Sequence, residues 1–360
     1  MLSLVLFGLG SARADAAFTS FYVFGDSLST TATNNATDSA TNYYYGKRYT
    51  NGRTWVEVLA QLQGLPFNPA SNSNSYFGNT STNVLTEING YNPPDPANAL
   101  VVVWVDDADL YFPALYGYSA SAWTNAINQS QTNHYNIITN LYGKGIRNLV
   151  IPDVADLSTI PAFNTRGSST NTIHQGCLNY NLAFADTLNR VRTNSNFTGL
   201  TIYSPDFFSM LTNMLKAPVS YGLTNVLLDL GLGAGPQPID ALHNLSDYSL
   251  TGPGTNYIFW DPTDPTALVH SVMAGIAQQL ISPAQFSHIA KANGSNRLDV
   301  VNMPIGLNGF VLSATNLTQA NWLTNTPGFS GTNAVQSVFV PSAGAQQFYR
   351  LQFPWQWSWP

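Results

Sequence analysis

The feature that most constrains the fold is an alternation between short, continuously apolar segments and longer segments of helical spacing. Residues 100–105 (LVVVWV) are all apolar, as expected of a β-strand that is buried on both faces. The same pattern predicts further strands at residues 21–24, 148–151 and 200–203. Helical spacing predicts helices at residues 54–62, 122–142, 178–191 and 266–280. Strands that alternate with helices predict an α/β fold, in which a parallel sheet carries helices on both faces.

The composition changes after about residue 293. Residues 298–360 have no helical periodicity and hold short alternating runs that Gly, Asn, Pro and Ser separate. This pattern predicts a small all-β module after the α/β domain, with the two units at residues 18–292 and 298–360. The last eight residues, 353–360 (FPWQWSWP), are strongly aromatic. Either they form an exposed contact site for a surface or polymer, or they pack back on the main domain.

The amino terminus carries the pattern of an export signal. Residues 2–9 are apolar but too few to span a bilayer, which needs about 20 such residues. Ala12 and Ala14 then give the small-x-small pattern of a signal-peptidase site. We therefore predict a signal peptide at residues 1–14, with a buried first strand as the alternative. No later segment is long and apolar enough to cross a membrane, so we expect a secreted protein, extracellular or periplasmic.

The charge balance argues against two classes of function. Charged residues make up 9% of the chain, with 13 Lys and Arg against 19 Asp and Glu. Nucleic-acid binding needs a basic stripe that neutralises phosphates, and binding to an anionic membrane surface needs a polybasic segment. A single cysteine, Cys177, leaves no intramolecular disulfide and no cysteine-based zinc site.

The most informative motif lies at the end of the first predicted strand. Gly25, Asp26, Ser27 and Leu28 follow the apolar run at residues 21–24. A serine just past a strand lies where open α/β sheets build their sites. Its hydroxyl can act as a nucleophile if a base lies within hydrogen-bond reach, and an ordinary Asp-Ser turn is the alternative.

Several further segments match one family in order and spacing. Residues 24–28 (FGDSL), 49–60 (YTNGRTWVEVLA), 76–81 (YFGNTS) and 257–266 (YIFWDPTDPT) resemble successive conserved blocks of the GDSL or SGNH serine esterases and lipases, in their longer plant-like form. The resemblance covers about residues 18–285. It implies a three-layer, flavodoxin-like parallel sheet and the hydrolysis of carboxylic esters, without a cofactor or a metal ion. The substrate implied is an ester such as an acylated carbohydrate or lipid.

The resemblance also implies roles for particular residues. Ser27 takes the place of the nucleophile, and Asp261 that of the acid that orients the base. The amides of Ser27 and Gly78, with the side chain of Asn79, take the place of the oxyanion hole.

The base is where the chain departs from the family. The last block normally supplies Asp-x-x-His, and here Asp264 stands at the histidine position. An ordinary aspartate, with a pKa of about 3.9, is a far weaker base than imidazole, with a pKa of about 6.5. Asp264 can serve only if burial or a neighbouring carboxylate raises its pKa.

The third block departs as well. One alignment places Asp106 at the family's glycine, Ala108 at its asparagine and Asp109 at its aspartate. A shifted alignment places Asp106 at the asparagine and Asp107 at the aspartate. Either way the asparagine that donates to the oxyanion is missing, and the loss of one such donor costs about 100- to 1000-fold in rate.

No other histidine has a motif that makes it the base. His270 follows Asp264 by six residues on a predicted helix, which turns it well away, so we interpret it as a core residue. His174 lies in a segment of uncertain structure and reaches the pocket only through a long loop. His134, His243 and His288 have no motif context and are interpreted as surface or packing residues.

The substitutions gather acidic residues at the strand ends: Asp26, Asp106, Asp107, Asp109, Asp261 and Asp264. They either cap helices and turns or repel one another unless protonated or bridged by a cation such as calcium. No calcium-loop spacing is present. Two functions remain open: an ester hydrolase with an atypical base, and an inactive relative whose pocket binds a ligand such as a glycan. The base discriminates between them: if no imidazole lies within hydrogen-bond reach of Ser27, the ligand-binding relative is favoured.

Overall fold

The computed structural model describes residues 18–33, 43–223, 227–229, 236–317, 321–342, 346–354 and 360. The predicted signal peptide lies outside the described residues, and so does most of the aromatic segment 353–360.

The centre of the fold is a parallel sheet of four strands. In chain order these are β1 (Ser20–Gly25), β2 (Ala99–Trp104), β3 (Asn148–Val150) and β4 (Thr201–Tyr203), and they lie in the sheet in the same order. All three pairings are parallel. Every residue of β2 is buried, as its continuous apolar sequence predicts. All four carboxyl ends therefore lie along one edge of the sheet.

Eight helices are described around this sheet: α1 (Trp55–Leu62), α2 (Ser81–Glu87), α3 (Asp106–Leu115), α4 (Ala120–Gly143), α5 (Ser168–Thr193), α6 (Phe207–Lys216), α7 (Ala241–Asn244) and α8 (Ala267–Ile281). Helix α1 packs on α8, and α4 packs on α2, α3 and α5. The predicted three-layer α/β architecture is confirmed. A short hairpin of β5 (Leu227–Asp229) and β6 (Pro236–Pro238) precedes α7 and was not predicted.

Helix α1 is closed at both ends by specific hydrogen bonds. At its start, Glu57 accepts from the Thr54 amide at 2.9 Å, and the indole of Trp55 donates to Ser29 Oγ at 3.1 Å. Its last four carbonyls all accept backbone hydrogen bonds, three of them from the amides of residues 63–65. The fourth, Leu62, accepts from the amide of Ile305 at 3.3 Å. Because a helix end leaves such carbonyls without internal partners, Ile305 completes the end of α1 from outside the helix.

The carboxyl-terminal part of the chain is antiparallel β structure, as predicted. Its strands are β7 (Gln285–Ala292), β8 (Ser295–Val301), β9 (Asn308–Ala314), β10 (Leu323–Ser330), β11 (Gln336–Pro341) and β12 (Phe348–Gln352). They form two three-stranded sheets around a small apolar core of their own. This β structure begins at Gln285, so the hairpin β7–β8 crosses the boundary predicted at residues 292–298. The burial of β7 does not alternate, which is why the sequence pattern missed it.

None of the described helices is long and apolar enough to span a bilayer.

Candidate active site

Ser27 lies at the carboxyl end of β1, in a turn that the sequence specifies locally. Asp26 Oδ1 accepts from the amide of Leu28 at 3.1 Å, which starts a short 3₁₀ helix at Ser27. Gly25 packs so closely that a Cβ there would lie 2.5 Å from Cβ of Ser29. A larger residue at position 25 would therefore displace the turn. The half-buried Ser27 is presented at the edge of the sheet, as the motif predicts.

The loop that carries Gly78 and Asn79 is bound to the end of the same strand. The amide of Gly25 donates to Asn74 O at 3.0 Å, and Gly25 O accepts from the amide of Tyr76 at 3.2 Å. Gly78 adopts a left-handed φ of 79° and, like Ser27, lines the pocket described below. The turn therefore favours glycine at this position.

The side chain of Asn79 has a role other than the one predicted. Its Nδ2 donates to the carbonyl oxygens of Gly25 and Asn74, at 3.1 Å each. Because both amide hydrogens are directed at backbone carbonyls, they are not available to an oxyanion. The side chain instead fastens the loop to the end of β1.

The third block forms the first turns of α3, and its acidic residues separate there. Asp107 and Ala108 line the pocket beside Ser27. Asp109 points to the other side, where it accepts from the amide of Ser81 at 3.0 Å and from the hydroxyl of Ser130. The side chain of Asp106 lies outside what the structure describes. The predicted convergence of all the acidic residues is therefore wrong for Asp109.

Asp261 is held rigidly in the loop before α8. Its Oδ1 accepts from the amides of Asp264 at 2.8 Å and Thr263 at 2.9 Å. Its Oδ2 accepts from the hydroxyl of Tyr44 at 2.9 Å. Burial raises the pKa of Asp261, and these hydrogen bonds lower it. Its hydrogen bonds fix the loop that carries Asp264.

Asp264 is the group that this loop directs at Ser27. Its side chain is buried, and Oδ2 accepts from the hydroxyl of Thr263 at 2.7 Å. Burial, and next the negative charge of Asp261, raise the pKa of Asp264 well above its usual range, while the hydroxyls of Thr263 and Ser27 lower it. Within the described residues, Oδ1 has no partner with good hydrogen-bond geometry. The Ser27 hydroxyl is therefore near enough to Asp264 to influence its pKa.

The five histidines lie outside the lining of the Ser27 pocket. His270 is buried in α8, and burial lowers its pKa to about 3, so it remains neutral, in line with its interpretation as a core residue. His174 lies on α5, which begins ten residues earlier than predicted, and its Nδ1 is 2.6 Å from Asp156 Oδ2. The remaining three pair or pack near other acids: His134 near Asp109, His243 with Asp240 and His288 with Asp299. No histidine is among the described residues that line the Ser27 pocket.

The pocket around Ser27 has an empty volume of about 440 Å³, part of it open to solvent. Besides Leu28 of the motif, its walls include apolar and aromatic residues that sequence reasoning did not select, because they lie on three further segments: Phe77, Tyr111, Phe112, Leu157 and Ile160. Tyr44 was also missed, since its partner Asp261 is more than 200 residues away. Within the described residues, no group of three or more His, Cys, Asp or Glu side chains is arranged to hold a metal ion.

A serine at a strand end, with a pocket beside it and an acidic loop before the last helix, is an arrangement that α/β serine hydrolases use. No protein-family model matches the chain. A GDSL esterase/lipase of Arabidopsis thaliana is 29% identical over 143 residues, which are 38% of this chain and 40% of the relative. A second GDSL esterase/lipase of Arabidopsis thaliana is 24% identical over 327 residues, which cover 74% of this chain and 85% of the relative. The chain is thus similar in sequence to plant GDSL esterases/lipases.

Solved structures with a similar course of the chain include two acetylxylan esterases. One has 10% sequence identity and a TM-score of 0.39, with 73% of this chain and 99% of the other covered. The other, from Geobacillus stearothermophilus, has 9% identity and a TM-score of 0.38, with 73% and 95% covered. These similarities are too low to inform on substrate.

Proposed function

We propose that this protein is a secreted hydrolase of carboxylic esters, a plant-like long member of its family, in which Ser27 is the nucleophile and Asp264 the general base. One observation carries the proposal: the Ser27 hydroxyl lies near the buried carboxyl of Asp264, whose pKa burial and a second carboxyl raise well above its usual range. A base works best when its pKa lies near the working pH. The Asp261–Asp264 pair therefore makes a better base than an exposed aspartate.

The reaction needs this carboxyl to be ionised. In acylation, the Asp264 carboxylate accepts the Ser27 proton while Oγ attacks the ester carbonyl carbon. The bond to the alcohol oxygen then breaks, and the alcohol takes the proton from Asp264. In deacylation, a water molecule gives a proton to Asp264 and attacks the acyl-enzyme, and Ser27 leaves with that proton. Activity is accordingly expected to rise as the pH increases through the raised pKa of the pair.

Fewer hydrogen-bond donors are available to the oxyanion than the family pattern implies. Ser27 and Gly78 line the pocket, so their backbone amides remain as donors in the proposal, while the side-chain amide of Asn79 is directed at backbone carbonyls. Asp107 lines the same pocket, and a carboxylate there repels developing negative charge. We expect a slow esterase for this reason.

The name esterase/lipase, carried by both plant relatives, and the partly apolar pocket favour an ester such as an acylated carbohydrate or lipid as substrate. Export would follow from the signal-peptide pattern at residues 1–14.

A second function is an inactive relative that binds a ligand such as a glycan in this pocket. Two observations favour it: the described pocket lining has no imidazole, and it does include the carboxyl of Asp107. The two functions differ in whether Ser27 forms and breaks a covalent bond.

The test is turnover of p-nitrophenyl esters from pH 5 to pH 9, for the wild type and Ser27→Ala. Ser73→Ala is the matched control, because Ser73 is exposed and does not line the pocket. We expect turnover that Ser27→Ala abolishes and Ser73→Ala leaves unchanged. Equal background rates in all three proteins would overturn the hydrolase proposal in favour of the binding protein.

A further inference from the structure

A second cavity lies next to the Ser27 pocket. It has an empty volume of about 450 Å³, part of it open to solvent, and most of its wall is apolar: Phe207, Met210, Leu211, Ile258, Val269 and Met273. We call this space the apolar cavity. Phe207, Met210 and Leu211 belong to α6, and Val269 and Met273 to α8. All of these side chains are buried.

The apolar cavity and the Ser27 pocket share part of their walls. Leu28, Asp107, Leu157, Ile160 and Thr263 line both spaces. Leu28 directly follows the nucleophile, and Thr263 directly precedes Asp264. The two spaces therefore adjoin beside Ser27 and Asp264.

The chemistry of the two spaces differs. Among the residues that line the apolar cavity in the described part of the chain, Asp107 and Thr263 carry polar side chains and stand on the shared wall, and Trp104 adds one indole nitrogen. Water gains little in an apolar space without hydrogen-bond partners, whereas an apolar group can fill it. The Ser27 pocket opens instead past Phe77, whose side chain is 46% exposed. An alcohol group of any size can leave in that direction.

We propose that the apolar cavity holds the acyl chain of the substrate, so that the enzyme selects esters by acyl chain length rather than by the alcohol. The inference rests on the proposed function, since the carbonyl carbon must stand at Ser27 for the chain to enter past Leu28. The occupant is an unbranched aliphatic acyl chain. Each methylene that enters is expected to raise kcat/KM about fourfold, until the space is filled.

The first experiment fills the space. Val269→Phe adds volume inside the apolar cavity, and Val272→Phe, on the same helix but outside the cavity lining, is the matched control. With p-nitrophenyl esters from acetate to decanoate, Val269→Phe is expected to shift the preferred acyl chain to shorter lengths. Val272→Phe is expected to keep the wild-type preference. The same chain-length preference in both variants and the wild type would overturn the inference.

The second experiment enlarges the space. Met210→Ala removes side-chain atoms from the cavity wall, and Met214→Ala makes the same change one turn further along α6, away from the cavity lining. Met210→Ala is expected to move the preference to longer chains, by about fourfold for each further methylene accommodated. Met214→Ala is expected to lower stability without moving the preference. If Met210→Ala fails to fold, Val269→Phe still tests the cavity.

A binding measurement separates this inference from the proposed function. In Ser27→Ala, calorimetry with methyl acetate, methyl butanoate and methyl hexanoate reports binding without turnover. We expect affinity to rise with acyl length and to lose that dependence when Val269→Phe is added. Chain-dependent binding together with an inactive wild type would overturn the hydrolase and keep the cavity as an acyl site. Binding that is independent of chain length would overturn the cavity assignment, whatever the activity.

Discussion

Two acidic side chains at the same edge of the sheet, Asp109 and Asp264, have opposite surroundings. The carboxyl of Asp109 accepts from the amide of Ser81 and the hydroxyl of Ser130, and His134 lowers its pKa further against the effect of burial. Asp264 accepts from Thr263 on one oxygen, while its other oxygen has no well-formed partner in the described residues. Its neighbour is a second carboxyl, which raises its pKa, instead of an imidazole, which would lower it.

The difference separates a structural carboxyl from the proposed proton acceptor. Asp264 is buried and Asp109 half-buried, and removal from solvent raises the pKa of each. Hydrogen-bond donors surround the carboxyl of Asp109, so a change in its protonation state would not activate a neighbouring group. At Asp264 the surroundings leave the group poorly compensated and directed at a hydroxyl, which is the condition for a proton acceptor. Three experiments test this difference between Asp109 and Asp264.

The largest expected effect is that of Asp264→Asn on turnover. The amide keeps the shape of the carboxyl but cannot accept the Ser27 proton, so kcat should fall by about 100- to 10,000-fold. Steady-state turnover of p-nitrophenyl esters at pH 8 measures it. Asp109→Asn serves as the control and should retain activity within a few-fold. Equal losses in the two variants would remove the distinction between the two regions.

The next effect is on stability, with opposite expectations for the two acids. Asp109→Ala leaves the buried donors of Ser81 and Ser130 without their acceptor and should cost about 1–3 kcal/mol in the free energy of unfolding. Asp264→Ala removes a poorly compensated charge, and Thr263 retains Asp261 as an acceptor, so above the raised pKa it should be neutral or stabilising. Denaturant titration at pH 5 and pH 8 measures both.

The pH dependence of that stability follows from the direction of the shift. A carboxyl whose pKa is raised by folding binds a proton in the folded chain at pH values where the unfolded chain has lost it. Its contribution is present below the unfolded pKa of about 3.9 and is lost as the pH rises through the folded pKa. Asp264→Ala should therefore gain on the wild type as the pH rises from 5 to 8. A constant difference across that range would contradict the raised pKa.

The smallest effect is expected from Tyr44→Phe. The Tyr44 hydroxyl lowers the pKa of Asp261, so its removal should move the midpoint of the pH–rate profile of the pair upward and reduce kcat about tenfold at mildly acidic pH. Tyr49→Phe is the matched control, because the pKa of Tyr49 is raised to about 12 and its hydroxyl stays neutral throughout the assay. A midpoint that stays in place, or that moves equally in both variants, would remove Tyr44 from the mechanism.

The fold was predictable from the sequence wherever buried apolar residues recur in the pattern of a strand or a helix. The run 100–105 indicated β2, and the blocks around Ser27 and Asp261 indicated where the sheet edge carries chemistry. The start of α5 was not predictable, because residues 168–177 are mostly polar and lack an apolar stripe. The edge strand β7 was missed for a similar reason, since its burial does not alternate.

The sequence indicated which residues belong to the candidate site, but not the directions in which their side chains point. Sequence position brought Asp107 and Asp109 together on one helix turn, yet a helix rotates about 100° per residue, so the two side chains point to different spaces. For Asn79 the residue type indicated a donor, while the carbonyl oxygens that it serves depend on how two loops meet. Orientation of this kind arises from contacts across the chain, which no local pattern records.

Helix α1 has a consequence for how the chain can be shortened or grafted. Its eight residues form a rod about 12 Å long, with the indole of Trp55 joined to Ser29 at one end and the carbonyl of Leu62 joined to Ile305 at the other. The β structure after residue 284 thus supports, through α1, the turn that carries Ser27. If only the α/β part is transplanted, α1 loses its bond to Ile305. An engineer would have to replace that contact to keep the turn with Ser27 equally rigid.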